Sequence, residues 1–96
     1  MQLDVGGLSM IEAGDGVVVV AGELDAATVG QLARRFSASP AVRVIDLSGV
    51  TFIDASGLRA LVDATENQCL LRSPSRPVVR LCEITGLTAM LPPTAS

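Results

Sequence analysis

Four consecutive valines and an alanine, at positions 17–21, are the feature that most constrains the fold of this chain. β-Branched side chains favour extended backbone, and an unbroken apolar run is typical of a strand buried on both faces of a parallel sheet. Residues 12–16 precede it with an Asp-Gly turn signal, which predicts a hairpin from an earlier edge strand within residues 3–11. We therefore expect the first two strands to be antiparallel.

Beyond this strand, the apolar residues follow the spacing of amphipathic helices separated by further short strands. These helical and strand segments occupy residues 29–36, 42–47, 58–65, 69–72 and 78–82 in turn. Asp25 and Asp54 precede the first two helices as N-cap candidates, and Gly86 follows the third as a C-terminal glycine. The order ββαβαβα predicts an α/β fold in one domain, with right-handed crossovers between parallel strands.

Several residue types that catalysis commonly uses are missing from this chain. It has no histidine, lysine or tyrosine, which excludes Ser-His-Asp and Cys-His nucleophiles, P-loop lysines and Schiff bases. Every basic residue is an arginine, and arginine does not act as a general base at neutral pH. We therefore expect that the protein is not an enzyme and that it uses no metal or other cofactor.

Charge and hydropathy limit the classes of binding partner and the cellular locations that we expect for this protein. The net charge of −3 and the presence of only two aromatic residues, Phe36 and Phe52, argue against a nucleic-acid-binding surface. No apolar run approaches the ~20 residues of a membrane span, and no leader peptide is recognisable, so we expect a cytoplasmic protein. Cys69 and Cys82 lack the spacing of a zinc or redox motif, which favours buried, free thiols.

Polar segments follow the three predicted parallel strands, at residues 22–25, 48–57 and 73–75. Binding sites of α/β sheets lie at the carboxyl ends of such strands, so we expect these segments to converge, with Asp25, Asp54 and Ser56 exposed and clustered. The unpaired amides at the start of the second helix favour negative charge, such as a phosphorylated hydroxyl. Helix capping explains Asp25 and Asp54 equally well, and Asp46 could face solvent or accept a loop amide.

Three blocks of this sequence resemble the signatures of a known family, in the family's order. They are Gly-Glu-Leu-Asp at 22–25, Val-Ile-Asp-Leu-Ser-Gly-Val-Thr-Phe-Ile-Asp-Ala-Ser-Gly-Leu at 44–58, and Val-Arg-Leu-Cys-Glu-Ile-Thr-Gly-Leu at 79–87. The chain thereby resembles STAS domains of the anti-sigma factor antagonist (anti-anti-sigma factor) type. The resemblance implies that residues 1–96 form a single STAS domain with the SpoIIAA-like fold, a mixed sheet of four to five strands with helices mainly on one face.

The resemblance also implies a role in bacterial transcription regulation by partner switching. An unphosphorylated antagonist binds an anti-sigma factor that is also a serine protein kinase, and phosphorylation at the start of the second helix separates them. A dianion in such an interface repels partner carboxylates and resists desolvation. The residues expected to bind the partner are Asp25, Thr28, Ser48, Asp54, Ala55, Ser56 and Gly57.

Two features depart from the family pattern. The usual phosphoacceptor position is occupied by Ala55, which has no hydroxyl, so the phosphorylation candidate becomes Ser56. One step along a helix turns a side chain by about 100°, which changes its presentation to a kinase. Only residues 66–68 separate the second helix from the last strand, so we expect a helix of about three turns and a short strand.

Two other functions are compatible with a STAS domain. The chain could be a subunit of an ABC-type membrane transport complex, docking on the transporter ATPase. It could instead be a nucleotide-binding STAS module, although the chain lacks lysine and a glycine-rich phosphate loop.

Overall fold

The hairpin and the three helices expected from the sequence are present in the computed structural model, which describes residues 7–38 and 41–92. In chain order the elements are β1 (Leu8–Glu12), β2 (Val17–Leu24), α1 (Val29–Ala38), β3 (Val44–Ile53), α2 (Ala55–Glu66), β4 (Leu70–Arg72), α3 (Arg76–Thr85) and a 3₁₀ turn (Thr88–Met90). The predicted order ββαβαβα is confirmed. Of the first predicted strand, residues 3–6 lie outside the described part of the chain.

Within the described residues, one mixed sheet holds four strands in the order β1-β2-β3-β4. β1 is antiparallel to β2, with Leu8 opposite Gly22, whereas β2, β3 and β4 run parallel to one another. The Ala13 N–H closes the turn between β1 and β2 by donating to the Val17 carbonyl oxygen at 2.9 Å. The predicted α/β class and the antiparallel first strand are therefore confirmed.

The valine strand is buried more fully on one face than on the other, so the prediction that it is buried on both faces is wrong. Val18 and Val20 are buried, whereas Val17 and Val19 remain partly exposed. The physical reason is that the helices form one layer, in which α2 contacts both α1 and α3. Alternate side chains of a strand point to opposite faces, so a single helix layer buries only alternate valines.

The core lies between this helix layer and the sheet. Its fully buried large side chains come from every layer of the fold: Leu8, Val18, Val20, Leu24, Leu32, Ile45, Leu47, Val50, Leu61 and Val78. Cys69 and Cys82 are buried and free, as the sequence predicted. Desolvation by this burial raises the pKa of both thiols, so they remain protonated near neutral pH.

β3 is longer than the sequence predicted, and this changes where its carboxyl end lies. The prediction ended the strand at Leu47 because Ser48 and Gly49 are turn-forming residues. In the structure the strand continues to Ile53, and a register shift absorbs these residues: Val19 pairs with Asp46, but Ala21 pairs with Gly49. The extra residue in β3 forms a bulge, which lets the strand continue past its turn-forming residues.

The helix ends agree with the sequence. α2 has 12 residues, the expected length of about three turns, and β4 has only three. α3 ends at Gly86, which adopts the left-handed conformation with φ 76°, and the Leu87 N–H donates to the Cys82 carbonyl oxygen at 2.8 Å. A glycine favours this conformation because it has no β-carbon.

Candidate functional site

Two aspartates lie side by side at the carboxyl edge of the sheet. Leu24, at the end of β2, pairs with Ile53, at the end of β3, and each is followed directly by an aspartate. The Asp54 N–H donates to the Leu24 carbonyl oxygen at 3.3 Å, which holds the two chain segments together beyond the sheet. Asp25 and Asp54 are both partly exposed. The structure thus brings together the two carboxylates that the sequence singled out.

Asp25 is held by a closed set of hydrogen bonds in the loop between β2 and α1. Its Oδ1 accepts from the Ala27 N–H at 3.0 Å and from the Thr28 N–H at 3.2 Å. In return, the Thr28 hydroxyl accepts from the Asp25 N–H at 2.9 Å and donates to the Glu23 carbonyl oxygen at 2.8 Å. Asp25 therefore caps the turn that leads into α1, and this local geometry fixes its carboxylate in place.

Thr28 is fully buried, with 0% of its surface exposed. Its predicted contact with a partner stays a prediction, and in this structure the buried side chain of Thr28 supports the neighbouring loop. Its hydroxyl satisfies a backbone donor and a backbone acceptor of the loop, which a buried hydroxyl must do to offset its desolvation. The sequence could not reveal this, because Thr28 looks like an ordinary polar residue before a helix.

The first turn of α2 begins directly beside this loop. Asp54 is the N-cap, and its Oδ1 accepts from the Gly57 N–H at 3.0 Å. Ala55 is exposed, and Ser56 is partly exposed with a hydroxyl that makes no hydrogen bond within residues 7–38 and 41–92. The backbone amides of Ala55 and Ser56 precede the first intrahelical bond, so they remain available to a ligand or solvent.

Gly57 brings α2 close to the end of β2. A β-carbon at this position would lie 2.2 Å from the Leu24 carbonyl oxygen and 2.9 Å from Ile53 Cγ1. Gly57 is itself buried, and its predicted contact with a partner stays a prediction. Its role is to allow the close approach that places Ala55 and Ser56 next to the two aspartates.

Ser48 belongs to a different cluster, on the sheet face that the helices leave uncovered. Its backbone N–H and its hydroxyl both donate to Asp46 Oδ1, at 2.9 and 2.6 Å. Arg72, the last residue of β4, donates to Asp46 Oδ2 through Nε at 3.0 Å, and its terminal nitrogen forms an ion pair with the same oxygen at 2.9 Å. Ser48 lies five residues before the end of β3, about 15 Å from the two aspartates, so the structure does not bring it together with them. Its predicted contact with a partner stays a prediction.

Both oxygens of the Asp46 carboxylate accept hydrogen bonds from these donors. Burial alone would raise its pKa, but the hydrogen bonds from Ser48 and the hydrogen bond and charge of Arg72 outweigh that effect and lower the pKa below its usual value. The third predicted polar segment lies nearby, because the Ser75 N–H donates to the Leu47 carbonyl oxygen at 3.2 Å. Residues 73–75 therefore do not converge with the other two segments, since β4 ends well before β2 and β3.

Phe52 lies at the same edge, and the sequence did not single it out as a site residue. It is 49% exposed, and it pairs with Glu23, which is also exposed. No signal in the sequence marks Phe52, because its exposure depends on a register shift between β2 and β3.

Two further properties bear on the class of site. Within residues 7–38 and 41–92, no group of three or more His, Cys, Asp and Glu side chains is arranged to hold a metal ion. In the same part of the chain, no helix is long and apolar enough to cross a membrane.

The family follows from a comparison over nearly the whole chain. A family model for the STAS domain matches residues 8–96, and the chain therefore belongs to the STAS domain family. No curated protein matches the sequence.

Solved structures of anti-sigma factor antagonists share the fold. The crystal structure of an anti-sigma factor antagonist from Mycobacterium paratuberculosis is 31% identical, with a TM-score of 0.67, over 97% of this chain and 92% of that chain. The unphosphorylated anti-sigma factor antagonist SpoIIAA is 22% identical, with a TM-score of 0.67, over 92% of this chain and 89% of that one. The phosphorylated form of the Bacillus cell fate determinant SpoIIAA is 22% identical, with a TM-score of 0.64, over 92% of both chains.

Proposed function

We propose that this chain is a regulatory binding module of the anti-sigma factor antagonist type, and that its partner is an anti-sigma factor with serine kinase activity. The binding residues are Asp25, Asp54, Ala55 and Ser56, which we call the strand-end surface. The observation that supports this proposal is the placement of two partly exposed aspartates beside the open first turn of α2. The 31% identity to an anti-sigma factor antagonist agrees with it.

The strand-end surface is organised before any partner binds. Asp25 and Asp54 each use Oδ1 to cap the backbone that follows, which leaves the Oδ2 atoms for a partner. Because these carboxylates are already fixed by hydrogen bonds, a complex loses less conformational entropy than one that must order a mobile loop. The proposed action is therefore binding alone, in which the module occupies the anti-sigma factor and releases the sigma factor.

Phosphorylation of Ser56 is the regulatory part of the proposal. The hydroxyl of Ser56 has no hydrogen-bond partner in the described residues. The unpaired N–H groups in the first turn of α2 can donate hydrogen bonds to the oxygens of a phosphate. The phosphate adds about −1.5 to −2 charges beside Asp25 and Asp54 at neutral pH. Burying this dianion in the interface carries a large desolvation cost, and that cost weakens the complex.

A titration with a purified serine-kinase anti-sigma factor of the same organism tests the proposal by calorimetry. We expect saturable binding by the wild-type chain and its loss in Ala55→Arg, because position 55 is exposed and a large side chain there obstructs the partner. Ala41→Arg is the matched control, since Ala41 is exposed near the opposite edge of the sheet. Equal affinity of wild type and Ala55→Arg, or saturable binding only to a transporter ATPase, would contradict the proposal.

A further inference from the structure

We propose that Phe52 is an aromatic anchor of the interface, and that it inserts into an apolar cleft of the partner protein flanked by arginine or lysine side chains. This inference rests on the proposed function, because it concerns the same partner and extends the strand-end surface onto the uncovered face of the sheet.

A β-bulge determines which face of the sheet Phe52 occupies. Gly22 pairs with Val50, but the next residue of β2, Glu23, pairs with Phe52 and not with Thr51. Val50 is buried in the core, so strict alternation would place Thr51 outside and Phe52 inside. The extra residue reverses this order, so that Ile53 is buried and Phe52 faces the uncovered side. The bulge thus exposes the aromatic residue.

The neighbours of Phe52 on this face of the sheet have small side chains, so the ring is accessible. Ala21 and Gly49 pair on the same face, and a β-carbon on Gly49 would lie 2.6 Å from the β-carbon of Ala21. Phe52 retains 49% of its surface exposed beside these small residues. An exposed aromatic side chain on a rigid strand offers a large apolar area at little entropic cost, and such residues dominate the energy of protein interfaces.

The charges around Phe52 indicate the chemistry of the occupant. Glu23 is its exposed pairing neighbour, and Asp25 and Asp54 follow the ends of the two strands. These acidic groups repel nucleic-acid phosphates and favour a surface with basic residues. A partner protein that desolvates the ring therefore needs an apolar cleft for Phe52 and positive side chains beside it.

Fluorine NMR offers a test with an internal control, because Phe36 and Phe52 are the only aromatic residues in the chain. The full chain is labelled with 4-fluorophenylalanine and titrated with the unlabelled serine-kinase anti-sigma factor. We expect the Phe52 resonance to shift and to lose its solvent isotope effect as the partner is added. Phe36, which packs partly against the core, should keep its resonance.

Alanine variants measure the contribution of the ring. Phe52→Ala should weaken the complex by about 30-fold, which is typical of a central aromatic interface residue. Leu70→Ala is the matched control, since Leu70 is 68% exposed on the same face at the opposite end of the sheet, and its affinity should stay within about three-fold of wild type.

The outcomes separate the two proposals. If the wild-type chain binds the anti-sigma factor while the Phe52 resonance and the affinity of Phe52→Ala stay unchanged, the inference about Phe52 is wrong and the proposed function stands. If the wild-type chain does not bind, both are wrong. A Phe52 resonance that shifts on concentrating the chain alone would identify a second copy as the occupant and would also overturn the inference.

Discussion

Gly57 at the start of α2 lies so close to Leu24 at the end of β2 that a β-carbon on residue 57 would be 2.2 Å from the Leu24 carbonyl oxygen. This approach brings the first turn of α2 beside the loop that contains Asp25. The Asp54 N–H donates to the same Leu24 oxygen, so this one carbonyl group contacts both Asp54, the N-cap of α2, and Gly57 in its first turn. The geometry of the strand-end surface therefore depends on a residue that has no side chain.

Gly57→Ala should destabilise the protein by about 1–3 kcal/mol, because the new methyl group must displace α2 from β2. The free energy of unfolding in urea measures this effect. Gly30→Ala is the matched control: Gly30 is exposed near the start of α1, and its β-carbon would meet only Arg34 Nη1, at 3.6 Å. That variant should gain up to about 1 kcal/mol. Equal stability of Gly57→Ala and wild type would contradict the close packing.

Thr28→Val should destabilise the protein by about 1–3 kcal/mol, because it leaves the Asp25 N–H and the Glu23 carbonyl oxygen without their buried partner. Amide hydrogen exchange should show faster exchange at Asp25. Thr28→Ser keeps the hydroxyl and serves as the control, with slow exchange at Asp25 retained. Fast exchange in the serine variant as well would mean that packing of the methyl group, and not the hydroxyl, holds the loop.

The sequence predicted the order of elements, the hairpin and the helix ends because these depend on local signals. The valine run, the apolar stripes and Gly86 each specify the backbone near them. The extent of β3 was missed for the opposite reason. Ser48 and Gly49 are turn-forming residues in isolation, and pairing with β2, where Ala21 lies opposite Gly49, keeps this segment in a strand. Long-range pairing overrode local propensity there.

Asp46 makes the stability of the protein depend on pH. Burial alone would raise the pKa of Asp46. The hydrogen bonds from Ser48 and Arg72 lower this pKa by more than burial raises it, so the folded pKa lies below the unfolded value of about 4. Its stabilising contribution is therefore complete above about pH 4 and is lost as the pH falls through the folded pKa. We expect the difference in unfolding free energy between wild type and Asp46→Asn to shrink over that range.

Carbon NMR of the carboxyl group measures this pKa directly. Ser48→Ala removes one hydrogen bond that lowers the pKa and should move it upward, whereas Glu66→Gln, an exposed position at the end of α2, should leave it unchanged. A pKa of Asp46 at or above the ordinary aspartate value in the wild-type protein would contradict the bonding pattern described above.

Incubation with the anti-sigma factor kinase and ATP should place one phosphate on Ser56, as mass spectrometry would show, and Ser56→Ala should abolish it. Ala55→Ser adds a hydroxyl at the exposed first position of α2 and should be phosphorylated faster than the wild-type chain. The phosphorylated protein should bind the kinase more weakly because of its added charge. A phosphate on another residue, or none at all, would show that Ser56 has no regulatory role.

Part of the site could be predicted from the sequence and part could not. Asp25 and Asp54 were recognisable because each follows a strand and precedes a helix, and parallel strands bring such positions together. The burial of Thr28 and Gly57 was not predicted, because a polar or glycine-rich motif carries no signal of burial. Phe52 was missed because its exposure depends on a bulge, and one inserted residue exchanges inside and outside along the strand.

Chemical-shift mapping of the isotopically labelled chain against the unlabelled anti-sigma factor tests most directly whether the strand-end surface is the partner-binding site. We predict saturable shifts at residues 23–25 and 51–59, with Leu70 and Ile11, on the edge strands of the sheet, unchanged. The absence of saturable shifts, or shifts confined to β1 and β4, would contradict a partner-binding role for Asp25, Asp54 and the first turn of α2.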